Sequence, residues 1–152
     1  MQTRSIRFAV RLMAIIAVML TSWQCTLDKN HVVMEDVNTS SWDNVIDLHY
    51  TNDETELRNL SLMLRVRDSF KSDELRLEIT TLTPDSLSYN EQVIFPVEFH
   101  WQGSVARSLE IELPYRQGVV MKHKGEYIIK LRPLHPVAGI ESAGINFKST
   151  EC

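Results

Sequence analysis

The chain has 152 residues, with 16 basic against 20 acidic side chains and a net charge of −4. That length holds one domain with a genuine core, and not two. The acidic balance repels phosphate backbones and argues against a nucleic-acid partner.

The first 25 residues read as a targeting segment. Arg4, Arg7 and Arg11 stand in a stretch without acids, and an apolar run from Leu12 to Leu20 follows. A secretory apolar region runs about 7–15 residues, whereas a membrane-spanning helix needs roughly 20. The run is too short to span, so export is the expectation. No small-x-small cleavage site follows it, but a lone cysteine does, in Thr21-Ser22-Trp23-Gln24-Cys25. This arrangement resembles the lipobox of bacterial lipoproteins, in which the cysteine is acylated and becomes the new N-terminus. Ser22 and Gln24 depart from the usual residues of that motif. Cys25 is therefore the candidate lipidation site, and a disulfide between Cys25 and Cys152 is the alternative use of the two cysteines. Loss of residues 1–25 removes three arginines and no acid, leaving 13 basic against 20 acidic residues in the mature part, a surface that also repels anionic headgroups.

Residues 26–40 are mostly polar and read as a spacer, with at most one short strand at Val32–Met34. From residue 41 the pattern has a period of two. Leu60, Leu62, Leu64 and Val66 alternate with Ser61, Met63, Arg65 and Arg67, and Leu75, Leu77 and Ile79 alternate with Arg76, Glu78 and Thr80. Leu109, Ile111 and Leu113 alternate with Glu110 and Glu112, and Tyr127, Ile129 and Leu131 with Ile128 and Lys130. Such alternation puts apolar side chains on one face of a pleated strand and polar ones on the other. Breaks fall at residues 51–54, 71–73, 84–86, 102–104 and 122–125. The pattern predicts an all-β domain over 41–150, with about eight strands at 45–50, 58–67, 74–82, 92–99, 105–113, 117–121, 125–132 and 143–148. Two antiparallel sheets in a jelly-roll-like sandwich satisfy it.

No catalytic signature stands out, and no enzyme is expected. The histidines at 31, 49, 100, 123 and 135 make no H-x-x-x-H or H-E-x-x-H spacing, and there is no C-x-x-C. They read as surface residues. Ser142, in Gly139-Ile140-Glu141-Ser142-Ala143-Gly144, lies one residue away from a nucleophile elbow and reads as a serine in a turn. Asp53, Glu54 and Glu56 are oxygen donors of the kind calcium takes, but an acidic hairpin is commoner. No cofactor and no small-molecule substrate are indicated. Among the aromatics, Trp101 precedes a turn and is the candidate exposed contact, for a sugar face or a protein. The commoner use of Trp42 and Trp101 is to plug the ends of a sandwich core, and Tyr89 and Tyr115 lie near predicted strand ends. Asp85-Ser86-Leu87 resembles the acceptor triplet for O-glycosylation of exported proteins in Bacteroidetes, with Ser86 as the acceptor.

Taken together, several features resemble the GldH-type gliding-motility lipoproteins of Bacteroidetes. They are the cysteine with Trp42 some way behind it, Leu62-Met63-Leu64-Arg65-Val66, Leu75-Arg76-Leu77-Glu78-Ile79, and above all the closing stretch. That stretch is Gly125-Glu126-Tyr127-Ile128-Ile129-Lys130-Leu131-Arg132, then Leu134 and Val137-Ala138-Gly139-Ile140-Glu141-Ser142-Ala143-Gly144-Ile145. Pro133 and His135-Pro136 depart from the pattern. Read physically, Tyr127, Ile129 and Leu131 face the core, and Gly139 and Gly144 allow a chain reversal before a last edge strand ending at Phe147. The resemblance implies a non-enzymatic, membrane-anchored accessory of the gliding and type IX secretion machinery, with other envelope proteins as partners and Cys25 as its functional residue. No run of acids immediately follows Cys25, which points to the periplasmic side of the outer membrane. The competing expectation is a glycan-binding lipoprotein of a surface nutrient-uptake system.

Overall fold

The computed structural model describes residues 30–98 and 107–150. Among the described residues there are eight strands and no helix: β1 (His31–Asp36), β2 (Ile46–Asn52), β3 (Leu57–Arg67), β4 (Glu74–Leu82), β5 (Ser88–Pro96), β6 (Ser108–Val120), β7 (Gly125–Pro133) and β8 (Ile140–Ser149). The alternation seen in the sequence is the reason. In β2, Ile46, Leu48 and Tyr50 are buried while Asp47, His49 and Thr51 are exposed, as a strand with one wet face requires.

All pairings are antiparallel, and the strands form two four-stranded sheets, ordered β1-β8-β3-β6 and β2-β7-β4-β5. β1 pairs with β8, β2 with β7, β3 with β6 and β4 with β5. That is the pairing of one long hairpin whose tip is the β4–β5 turn. Rolling the hairpin up adds two side contacts, β3 with β8 and β4 with β7, and produces a jelly roll. The inner faces meet in one core. Leu62, Leu64, Ile145 and Phe147 of the first sheet, and Leu48, Leu77, Ile79 and Leu131 of the second, are essentially inaccessible to solvent. Each such side chain contributes roughly 1.5–3 kcal/mol.

The two ends of the sandwich differ. At the distal end, the β1–β2 and β7–β8 connections are laced together by reciprocal hydrogen bonds between the backbones of Trp42 and Val137 (2.8 and 3.0 Å). Trp42 is wholly buried there, its Nε1 donating to the Asn44 carbonyl at 2.9 Å. Phe70 from the β3–β4 connection is buried as well. Gly139 passes against it with φ +87°, and a Cβ at Gly139 would lie 2.6 Å from Phe70 Cα. At the proximal end, where β1 begins, lie the β2–β3, β4–β5 and β6–β7 connections, and the gap between the sheets stays open.

Several expected boundaries shift. The strands expected at 105–113 and 117–121 are one strand, β6, so Tyr115 lies within it and not near its end. Pro114 does not break it because β6 is an edge strand paired only with β3, where a missing N–H is tolerated. The short strand at Val32–Met34 extends over His31–Asp36 and pairs along its length with β8, so the sheets begin ahead of residue 41. β8 is no edge: it lies between β1 and β3. Gly144 therefore makes no reversal. A Cβ there would overlap the Val33 carbonyl oxygen and stand 2.7 Å from Met34 Cα, so the glycine lets β1 close onto β8.

Candidate functional site

The open gap at the proximal end is a cleft of about 510 Å³, bounded by the edge strands β5 and β6 and by the β4–β5 and β6–β7 turns. Its floor is the proximal end of the core: Leu60, Met121, Ile129 and Phe147. Tyr127 stands at the back, its hydroxyl donating to the His123 carbonyl at 3.1 Å. Leu87, Tyr89 and Val120 form the lip and are about half exposed, at 50, 59 and 47%. Large side chains of this kind are seldom left in water without a use when they cluster.

Polar groups converge on one wall. Glu91 of β5 bridges the gap between the sheets, accepting a hydrogen bond from the Tyr115 hydroxyl of β6 at 2.5 Å and an ion pair from Arg116. Burial pushes the Tyr115 phenol above its ordinary value, and the Glu91 carboxylate pushes it further. Across the cleft, the Asp85 carboxylate faces the His123 ring at 3.5 Å. The Thr83 hydroxyl, donating to Asp85 at 2.5 Å, holds that carboxyl below its ordinary value. A general acid needs the opposite shift. The cleft is suited to binding: an apolar floor with an aromatic lip and a few fixed polar groups is the usual composition of a ligand site.

The turn between β4 and β5 places Ser86 at its tip, exposed and with φ +66°, a left-handed conformation held by the Ser86 N–H bond to the Thr83 carbonyl at 2.9 Å. The candidate acceptor is thus presented to solvent at the proximal end. Trp101, Cys25, Cys152 and His100 lie outside the described residues. Trp42, weighed as a contact residue or a plug, is a plug. Ser142 is buried within β8 and not in a turn, with neither a helix nor an elbow around it. His31, His49, His123 and His135 are surface residues; His49 pairs with Glu126 at 2.9 Å, and His31 packs edge-on against Tyr50. Asp53, Glu54 and Glu56 lie at the proximal end on the far flank from the cleft. Glu56 is spent on Arg58, at 3.4 Å, and among the described residues no three His, Cys, Asp or Glu side chains gather in a metal-binding group.

Sequence reading names Tyr89 and Tyr115 as aromatics to weigh and Asp85 only within the Asp85-Ser86-Leu87 triplet, and misses Glu91, Arg116 and the cleft itself. Their partners stand on different strands, and no local spacing announces them. Measured against models of known families, characterised proteins and solved structures, the chain finds no match.

Proposed function

We propose that this chain is a membrane-anchored lipoprotein, acylated at Cys25, that serves as a non-enzymatic accessory of the gliding-motility and type IX secretion machinery, on the periplasmic side of the outer membrane. The observation that carries this reading is the order of the N-terminal features. A basic stretch, an apolar run too short to span and then Cys25 stand only a few residues ahead of β1. In the closing motif, Tyr127, Ile129 and Leu131 point into the core and Gly139 has a positive φ, so these residues serve the fold. A stable tether needs more than one acyl chain, which bacterial lipoproteins of this kind carry.

Quantitative mass spectrometry of culture supernatants from a deletion strain and its parent tests it. Loss of many secreted cargo proteins, restored by the wild-type gene and not by Cys25→Ala, supports the reading; an unchanged secretome overturns its secretion part.

The cleft supports a second reading, glycan binding, through Tyr89 standing exposed beside the Glu91–Arg116 pair. A ring of that kind stacks on a sugar face while fixed charges take its hydroxyls. Polysaccharide binding abolished by Tyr89→Ala would support it, and an unaltered profile would remove it.

A further inference from the structure

We infer that the proximal end of the sandwich is a membrane-seating surface: Leu57, Leu87, Tyr89 and Val120 rest in the interface of the bilayer that holds the tether. The inference rests on acylation of Cys25. Asn30 lies five steps along the chain from Cys25, with four residues between them, and five extended steps reach at most about 18 Å. β1 therefore starts within that distance of the bilayer. β3, with 11 residues, carries the fold about 36 Å away from that end, so the proximal connections face the lipid and the laced distal end faces away.

The side chains found at that end are the ones an interface takes. Leu57 opens β3, Leu87 closes the β4–β5 turn, Tyr89 follows on β5, and Val120 ends β6 paired to Leu57. All four are about half exposed (47–59%) although they come from different segments. Tyrosine and leucine at the headgroup level are the side chains of interfacial anchors. Lys122 and Lys124, exposed in the adjoining β6–β7 turn, bring positive charge to headgroup phosphates beside the apolar lip. Asp53 and Glu54 sit on the opposite flank of the same end, with His31 and His49, so the domain tilts onto its cleft side. Because the mature chain is acidic as a whole, apolar contact supplies the seating and the lysines orient it.

The test uses the mature lipidated protein in vesicles of phosphatidylethanolamine and phosphatidylglycerol, with Cys152→Ser so that a single engineered thiol carries an environment-sensitive dye. The dye is placed by L87C, or by V45C near the distal end, where Val45 is equally exposed at 46%. Lipid-borne quenchers are expected to quench the dye at position 87 severalfold more than that at 45. Equal quenching at both sites, or a dye at 87 in water on a chain that floats with the vesicles, overturns the seating and leaves the tether standing. A chain that does not float overturns both. A sugar on Ser86, adjacent to Leu87, would hold this lip off the lipid, so a glycosylated peptide spanning Ser86 from the native membrane also overturns the inference.

Discussion

Asn52 and Met121 are joined across the open end of the sandwich. The wholly buried Asn52 amide, at the end of β2, donates to the Met121 carbonyl at 3.1 Å and to the His123 carbonyl at 3.0 Å, which fixes the shape of the β6–β7 turn. Asn52→Ala leaves two carbonyls without these donors. The Asn52 Oδ1 is itself buried without a hydrogen bond, so its removal offsets part of the loss. A cost of about 1–2 kcal/mol follows. Urea unfolding reads it, and hydrogen exchange should quicken in residues 121–125 ahead of the rest of the chain. Unchanged exchange there would show that the amide does not hold the turn.

At the other end, Gly139→Ala meets both a positive φ and the Phe70 backbone. The strained φ costs of order 1–3 kcal/mol, and the overlap with main-chain atoms adds to that. The variant is expected to unfold at clearly lower denaturant with an unchanged slope. Gly118→Ala is the control: its φ is +62° but nothing lies within 4 Å of a Cβ, so it bears the conformational cost alone.

Raised alkalinity should weaken the clasp over the cleft. Burial and Glu91 hold the Tyr115 phenol above its ordinary value, so it is neutral in the fold where an unfolded tyrosine, near pH 10, already ionises. The stability it contributes is intact below about pH 10 and is lost as pH rises towards the folded-state value. The denaturant midpoint is therefore expected to fall more steeply between pH 8 and the highest tolerated alkalinity for wild type than for Tyr115→Phe. Parallel curves would mean that this phenol contributes no pH dependence.

The acid side depends on the outer face of the first sheet. The Lys148 ammonium, at 2.8 Å, holds Glu112 below its ordinary value; partial burial opposes this, and hydrogen bonds from Ser61 and Asn146 add to it. Stability from this group is present above the unfolded value, about 4.3, and disappears as pH falls through the folded one. Glu112→Gln should flatten the acid limb slightly. The pair is more than a third exposed, so the difference should shrink further in about 1 M salt.

The alternating strands were readable because each shows a dry and a wet face: Leu62, Leu64 and Val66 against Met63, Arg65 and Arg67 is a pattern with one geometric solution. Legibility failed where a strand has no such contrast. β1 contributes only Val33 and Met34 as half-buried residues, so its residues read as spacer. β5 opens on Ser88-Tyr89-Asn90, exposed throughout, and its first turn of pleat looks like loop. β8 buries residues of both faces, Ser142 and Asn146 as well as Ala143 and Ile145, which made an interior strand look like an edge. The cleft was harder still. Glu91 reaches Tyr115 and Arg116 across the gap between sheets, and only the rolled pairing of β3 with β6 and β4 with β5 brings them together.

That rolled pairing also sets an order of events. β1 is the first described strand to leave a ribosome or a translocation channel, yet the strand it pairs with is β8, the last. β3 likewise waits for β6 and β8 for its two neighbours. Until the final strand has emerged, β1 has no partner and β3 has only β6, and a topology so dominated by distant pairings closes slowly. If the chain is exported as proposed, its first sheet is completed only after the C-terminal strand arrives, because β8 joins β1 to β3.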